Sequence, residues 1–217
     1  MIQKIKVCLL IFLLPAIAWA QPFASDIAAF KKQDSISFPA AGQVLLIGSS
    51  SFTNWKDVQN YFPGYPILNR GFGGSSLPDV IYYANYIIFP YQPKQIIIYC
   101  GENDFAASDT VSVQMVVDRF KNLLNVIRAK YKKIPVSYIS MKPSPSRAHL
   151  MPKFVAADNL IKQYIKSKSN TTYIDVYTAM LDADGTAMAD LFLEDKLHMN
   201  AKGYAIWQRI MTPFLKK

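Results

Sequence analysis

Short β-rich apolar runs alternate with longer stretches of helical spacing along most of the chain, and this alternation restricts the fold more than any other feature. The runs cover residues 44–47, 67–68, 95–100, 136–140 and 172–174. Between them, residues 77–87, 111–131, 154–166 and 201–215 carry apolar positions three and four apart, and a shorter helix is expected around 26–32. The stretch after residue 111 is the clearest. Val113, Val116, Val117, Phe120, Leu123, Leu124 and Ile127 share one helical face, with Asp118, Arg119, Lys121 and Arg128 largely off it. Strands joined through helices run parallel, and a parallel sheet needs helices on both faces. No repeat, low-complexity tract or linker-like shift in composition interrupts the pattern, so one domain over residues 21–217 is expected.

The segment before residue 21 has a different logic. Lys4 and Lys6 precede an apolar run from Val7 to about Trp19, which closes in Ala18-Trp19-Ala20. A basic start, a short apolar stretch and small residues at a cleavage point describe a secretory signal peptide over residues 1–20, shorter than a comfortable bilayer span. The mature protein is then secreted or periplasmic, with no stable membrane span. Cys8 leaves with the leader and only Cys100 remains, so no disulfide can form within the chain and an apolar core must stabilise the fold. Hydrophobic residues make up 51% of the sequence, which argues against disorder. The net charge of +9 falls by two when Lys4 and Lys6 are lost. The remaining lysines are scattered, which suits solubility, and no basic stripe interleaved with aromatics points to nucleic acid.

In open parallel sheets, ligands bind beyond the carboxyl ends of the strands. The residues there are suggestive. Gly48-Ser49-Ser50-Ser51 follows the first run, Asn69-Arg70-Gly71-Phe72-Gly73-Gly74-Ser75 the second, and Gly101-Glu102-Asn103-Asp104 the third. A serine becomes nucleophilic when a base takes its proton, and the base needs a partner that fixes its tautomer. The chain has two histidines. His149 sits in a loop with no adjacent carboxylate, whereas His198 follows Asp195 by three residues. Alone, D-x-x-H is equally a helix-entry turn, Asn103-Asp104 an Asx turn, and the glycines a tight turn. A dinucleotide loop fits less well, because G-x-G-G is not G-x-G-x-x-G. The elbow G-x-S-x-G of the α/β-hydrolases is missing, since Phe52 stands where it needs glycine.

Taken together and in this order, the four blocks resemble the SGNH hydrolases, the GDSL-type esterase and lipase family, over essentially all of residues 21–217. The resemblance rests on Ser50 in Gly48-Ser49-Ser50, Gly74, Asn103 in Gly101-Glu102-Asn103-Asp104, and His198 with Asp195. It implies a flavodoxin-like three-layer α/β/α sandwich with five parallel strands in the order 2-1-3-4-5. It also implies Ser50 as nucleophile, His198 oriented by Asp195 as base, and an oxyanion hole from the Ser50 and Gly74 N–H groups with the Asn103 side chain. The chain departs from the family pattern twice. Ser49 replaces the usual Asp before the nucleophile, so three serines compete and the G-D-S alignment ranks Ser50 ahead of Ser51 and Ser49. Lys196 stands where many members have glycine in D-G-L-H.

The reaction this implies is acyl transfer to water from short-chain carboxylic esters, acetyl groups on carbohydrates among them, with no cofactor and no metal. Lysophospholipase or lipase-type action would call for an acyl pocket, which Phe72, Tyr99 and Phe105 could line if they are not simply core. An acyltransferase with a carbohydrate acceptor would use the same residues, and a non-catalytic binding protein could keep the fold. Residues 142–147 follow the fourth run and should rim the cleft, making Arg147 either a substrate contact or half of an ion pair. Oligomeric state is not legible.

Overall fold

The computed structural model describes residues 21–217. Residues 1–20, and with them the leader expected there, lie outside the described part. Five parallel strands, β1 (Val44–Gly48), β2 (Ile67–Gly71), β3 (Gln95–Tyr99), β4 (Val136–Ile139) and β5 (Thr171–Ile174), form one sheet in the order β2-β1-β3-β4-β5. The helices are α1 (Ala24–Ile36), α2 (Ser50–Thr53), α3 (Val58–Tyr61), α4 (Leu77–Tyr82), α5 (Ala84–Ile87), α6 (Glu102–Ala106), α7 (Val113–Lys130), α8 (Met151–Lys166) and α9 (Ala201–Met211).

Side-chain alternation along β1 divides the interior in two. Leu45 and Ile47 join a cluster with Phe120, Leu124 and Phe154 under α7 and α8, while Val44 and Leu46 join Phe52, Trp55 and Trp207 under α2 and α9. Every residue of β1 and β3 is buried, as expected for central strands covered on both faces. Helices α7 and α9 start where polar side chains satisfy free N–H groups. Ser112 Oγ accepts from Met115 N at 3.2 Å, and Asn200 Oδ1 accepts from Lys202 N at 2.9 Å.

Three elements differ from the sequence expectation. The helix expected over 77–87 breaks at Tyr83, whose ring packs edge-on against Phe72 and whose hydroxyl donates to Pro22 O. Strand β2 runs on through Asn69 and Arg70 because both polar side chains find partners. Asn69 Nδ2 donates to Phe52 O at 2.7 Å, and Arg70 donates to Asn69 O, to Tyr91 Oη and to Asp34. The same Asp34 also accepts from Tyr91 Oη, and this cluster holds α1 together well beyond the expected 26–32.

The register matters most for function. Gly48 is paired with Gly71 on one side and Tyr99 on the other, so β1, β2 and β3 end in one row and release their following loops side by side. Gly48 has φ +131°, and a Cβ there would stand 1.9 Å from Tyr99 O, so the chain can leave the sheet at this point only through glycine.

Candidate active site

The three loops form the floor of an open cleft of about 370 Å³, with Ser50, Gly73, Gly74, Asn103, Arg147 and His198 among its lining. A hollow of about 350 Å³ beside α1 is nearly as large but is lined by Asp26, Gln33, Thr53, Trp55, Lys56 and Asn69, with no serine and no histidine. Chemistry rather than size distinguishes the cleft.

Burial separates the three serines. Ser49 and Ser51 are 5% and 2% exposed, while Ser50, at the first position of α2, is half-buried and faces the cleft. Among the described residues, neither the Ser50 N–H nor the Gly74 N–H donates to another group. The loop carrying Gly74 is fixed from below, with Phe72 N and Ser75 Oγ both donating to Gly48 O, at 2.9 and 3.1 Å. Gly74 has φ +85°, a turn that a residue with a side chain resists.

Asn103 is the second residue of α6, and every polar atom of its side chain is engaged. Nδ2 donates to Ser49 Oγ at 2.7 Å and to Ser75 O at 3.0 Å, and Oδ1 accepts from Arg147 Nη2 at 2.8 Å. Arg147 Nη1 donates to Glu102 Oε2 at 3.1 Å, and Lys142 Nζ donates to the same atom at 3.1 Å. Glu102 and Lys142 are buried, and burial pushes the Lys142 ammonium below its ordinary pKa while Glu102 pulls it up. Arg147 thus forms the ion pair left open by the sequence. Lys142 lies beneath the cleft rather than on its rim.

The second half of the site comes from the turn before α9. His198 Nδ1 lies 2.5 Å from Asp195 Oδ2, and Asp195 Oδ1 accepts from the Leu197 and His198 N–H groups, each at 2.9 Å. Desolvation pushes the Asp195 carboxyl up, but the two backbone donors and the imidazole outweigh it and hold the group down at about 2. Lys196 occupies the left-handed region at φ +57°, the conformation glycine adopts freely, and its carbonyl accepts from Ser146 N at 3.1 Å. That conformation is the physical reason a glycine suits this position. No direct hydrogen bond joins Ser50 to His198 among the described residues, and such contacts commonly tighten only when substrate binds.

His149 is exposed and does not line the cleft. Phe72, Tyr99 and Phe105 are buried in the two cores, and Leu197 is the only large apolar side chain in the cleft lining. Glu102 and Lys142 appear in the sequence only as members of two strand-end segments, with no pairing between them. Among the described residues no group of three or more His, Cys, Asp or Glu side chains could hold a metal ion.

The family model for GDSL-like lipase/acylhydrolase proteins matches residues 34–206. No curated protein matches by sequence. Solved structures with the same fold include a protein from Streptococcus pneumonia (16% identity, 88% of this chain and 92% of that one, TM-score 0.77). A GDSL-like lipase from Bacteroides thetaiotaomicron is similar over 87% of this chain and 97% of its own, at 18% identity and a TM-score of 0.69. A family 3 carbohydrate esterase from Clostridium thermocellum is similar over 81% and 97%, at 12% identity and a TM-score of 0.63.

Proposed function

Because the chain belongs to the GDSL-like lipase/acylhydrolase family, we propose that it is an exported serine esterase releasing short acyl groups, acetyl groups on carbohydrates among them. The observation that carries this is the convergence of Ser50, two free backbone N–H groups, the Asn103 amide and the Asp195–His198 pair on one cleft. Asp195 binds Nδ1 of His198, which leaves Nε2 to act as the base. Nε2 takes the Ser50 proton as Oγ attacks the ester carbonyl, and the carbonyl oxygen becomes the oxyanion. Collapse of this intermediate breaks the C–O bond, and His198 returns the proton to the departing alcohol. Water, deprotonated by the same nitrogen, then cleaves the acyl-enzyme and frees the acid.

The Ser50 and Gly74 N–H groups and Asn103 Nδ2 stabilise the oxyanion. An oxyanion forming at Ser50 competes with Ser49 Oγ for the Asn103 donor, a role that suits a neutral hydroxyl better than a carboxylate. The short-chain preference rests on the lining, where glycines and polar groups offer a long alkyl chain little to bury against. Export rests on the pattern of residues 1–20, and the shared fold of the Clostridium thermocellum carbohydrate esterase makes an acetylated sugar a sensible substrate to include.

The test is a panel of p-nitrophenyl esters from acetate to palmitate, with an acetylated sugar, combined with fluorophosphonate labelling. Wild type should favour acetate and label covalently, while Ser50→Ala should do neither and Ser49→Ala and Ser51→Ala should keep measurable turnover. Preference for palmitate would overturn the substrate class. Labelling of Ser50→Ala, or its absence in wild type, would overturn the nucleophile.

A further inference from the structure

Arg147 reaches the cleft but has both guanidinium nitrogens of its fork occupied, Nη1 by Glu102 and Nη2 by Asn103 Oδ1. An arginine that reads a substrate anion offers its fork to solvent, whereas this side chain is only 17% exposed. Its contact with Asn103 has a directional consequence. A primary amide fits its site nearly as well when rotated by half a turn, and only its partners select between the two orientations. Rotated, the Asn103 NH₂ would face the Arg147 donors, and Oδ1 would face Ser75 O, opposing donor to donor and acceptor to acceptor. In the observed sense all the pairings match, and Nδ2 points toward the serines.

We propose that Arg147 is a positioning residue, locking the Asn103 amide with its nitrogen toward Ser50, and that the buried Glu102–Lys142 pair is the anchor that holds Arg147. This rests on the assignment of Asn103 to the oxyanion hole. Glu102 accepts from Arg147 and from both the side chain and the backbone N–H of Lys142. Two cations around one carboxylate leave an excess positive charge behind the amide, with the sign that favours a developing oxyanion. Ser146 N, bonded to Lys196 O, ties the same segment to the Asp195–His198 turn, so both halves of the site share this support.

The experiment is a double-mutant cycle in kcat and KM with p-nitrophenyl acetate, using wild type, Arg147→Met, Asn103→Ala and the double variant. Arg147→Met should lower kcat by about 10- to 100-fold, less than deleting the donor itself, with KM within about threefold. In the Asn103→Ala background the same change should cost almost nothing, because its target is gone. Arg147→Lys, which keeps Glu102 paired, should recover part of kcat, and it takes the place of the Met variant in the cycle if circular dichroism shows Arg147→Met unfolded. Equal losses in both backgrounds, or a loss carried by KM, would make Arg147 a substrate contact and overturn the proposal. If Asn103→Ala alone leaves kcat intact, the oxyanion assignment fails instead, and the cycle reports the two failures separately.

Discussion

Replacing Asn103 with alanine tests the proposed oxyanion site with two separable readouts. The lost donor acts on charge that exists only in the transition state, so kcat should fall by about 10²–10³, or roughly 2.7–4 kcal/mol, with KM little changed. The structure also sets a smaller cost in stability. Ser75 O loses the Asn103 amide and keeps only the weak Cys100 Sγ donor at 3.5 Å, while Ser49 Oγ and Arg147 Nη2 each lose a partner. A buried carbonyl left poorly satisfied costs about 1–3 kcal/mol, which lowers Tm by several degrees in a chain of this size. Steady-state kinetics with p-nitrophenyl acetate at 25 °C, beside thermal melts by circular dichroism, separate the two, since a fold lost by so little remains populated at the assay temperature. A kcat loss below about tenfold, or a rise in KM with kcat held, would refute the reasoning.

Three further variants address the Asp195–His198 turn. Its carboxyl is held at about 2, so Asp195 stays ionised above roughly pH 3, and its contribution to stability, complete above the unfolded value of about 3.9, disappears only as pH falls through about 2. Asp195 therefore contributes no proton to the kcat/KM profile above about pH 4, and Asp195→Asn should lower activity by about 10²–10⁴ through loss of the correct tautomer. A second proton in the wild-type profile above pH 4 would count against this. At Lys196, glycine relieves about 1–2 kcal/mol of left-handed strain and adds back about 0.5–1 in chain entropy, so Lys196→Gly should shift Tm by only a few degrees and keep activity within about twofold. Lys196→Val, β-branched at positive φ, should lose about tenfold or more in kcat by moving the turn, and equal activity in the two variants would remove strain from the account.

The sheet was legible because β1, β3 and β4 are dominated by apolar residues, broken only by Gln95 and Ser137, the mark of strands covered on both faces. The strand order came only with the family resemblance, since local pattern carries no information about which parallel neighbours pair. The break at Tyr83 was hidden because its cause, Phe72 and Pro22, lies far away in sequence. The extent of α1 was hidden for the same reason, since Asp34 reads as a surface residue until Arg70 and Tyr91 are placed beside it. At the site, the residue types were visible in the strand-end loops, and the structure brings Ser50, Gly74, Asn103, Arg147 and His198 to one cleft with Asp195 behind the imidazole. Burial, which separates Ser50 from its neighbours, and the Glu102–Lys142 pair are three-dimensional facts that no spacing encodes.

Helix α1 has a bearing on the cleft that its position outside the sheet pattern conceals. Phe23, just before its first turn, lies edge-on to Phe72 at 5.2 Å, and a Cβ on Gly74 would sit 3.6 Å from its ring. The first turn has no side-chain cap, and the helix is held by the Tyr83 hydroxyl on Pro22 O at its start, by Ile27 in the core and by Asp34 at its far end. Local opening needs only the contacts of the segment that opens, and it can occur many times for each global unfolding event. Fraying of this turn releases the ring that backs the Gly74 loop while the sheet stays intact. The hydrogen-exchange protection of the Ala24 and Ile27 amides, rather than the melting temperature of the domain, is thus the quantity that reports how often the loop loses this backing.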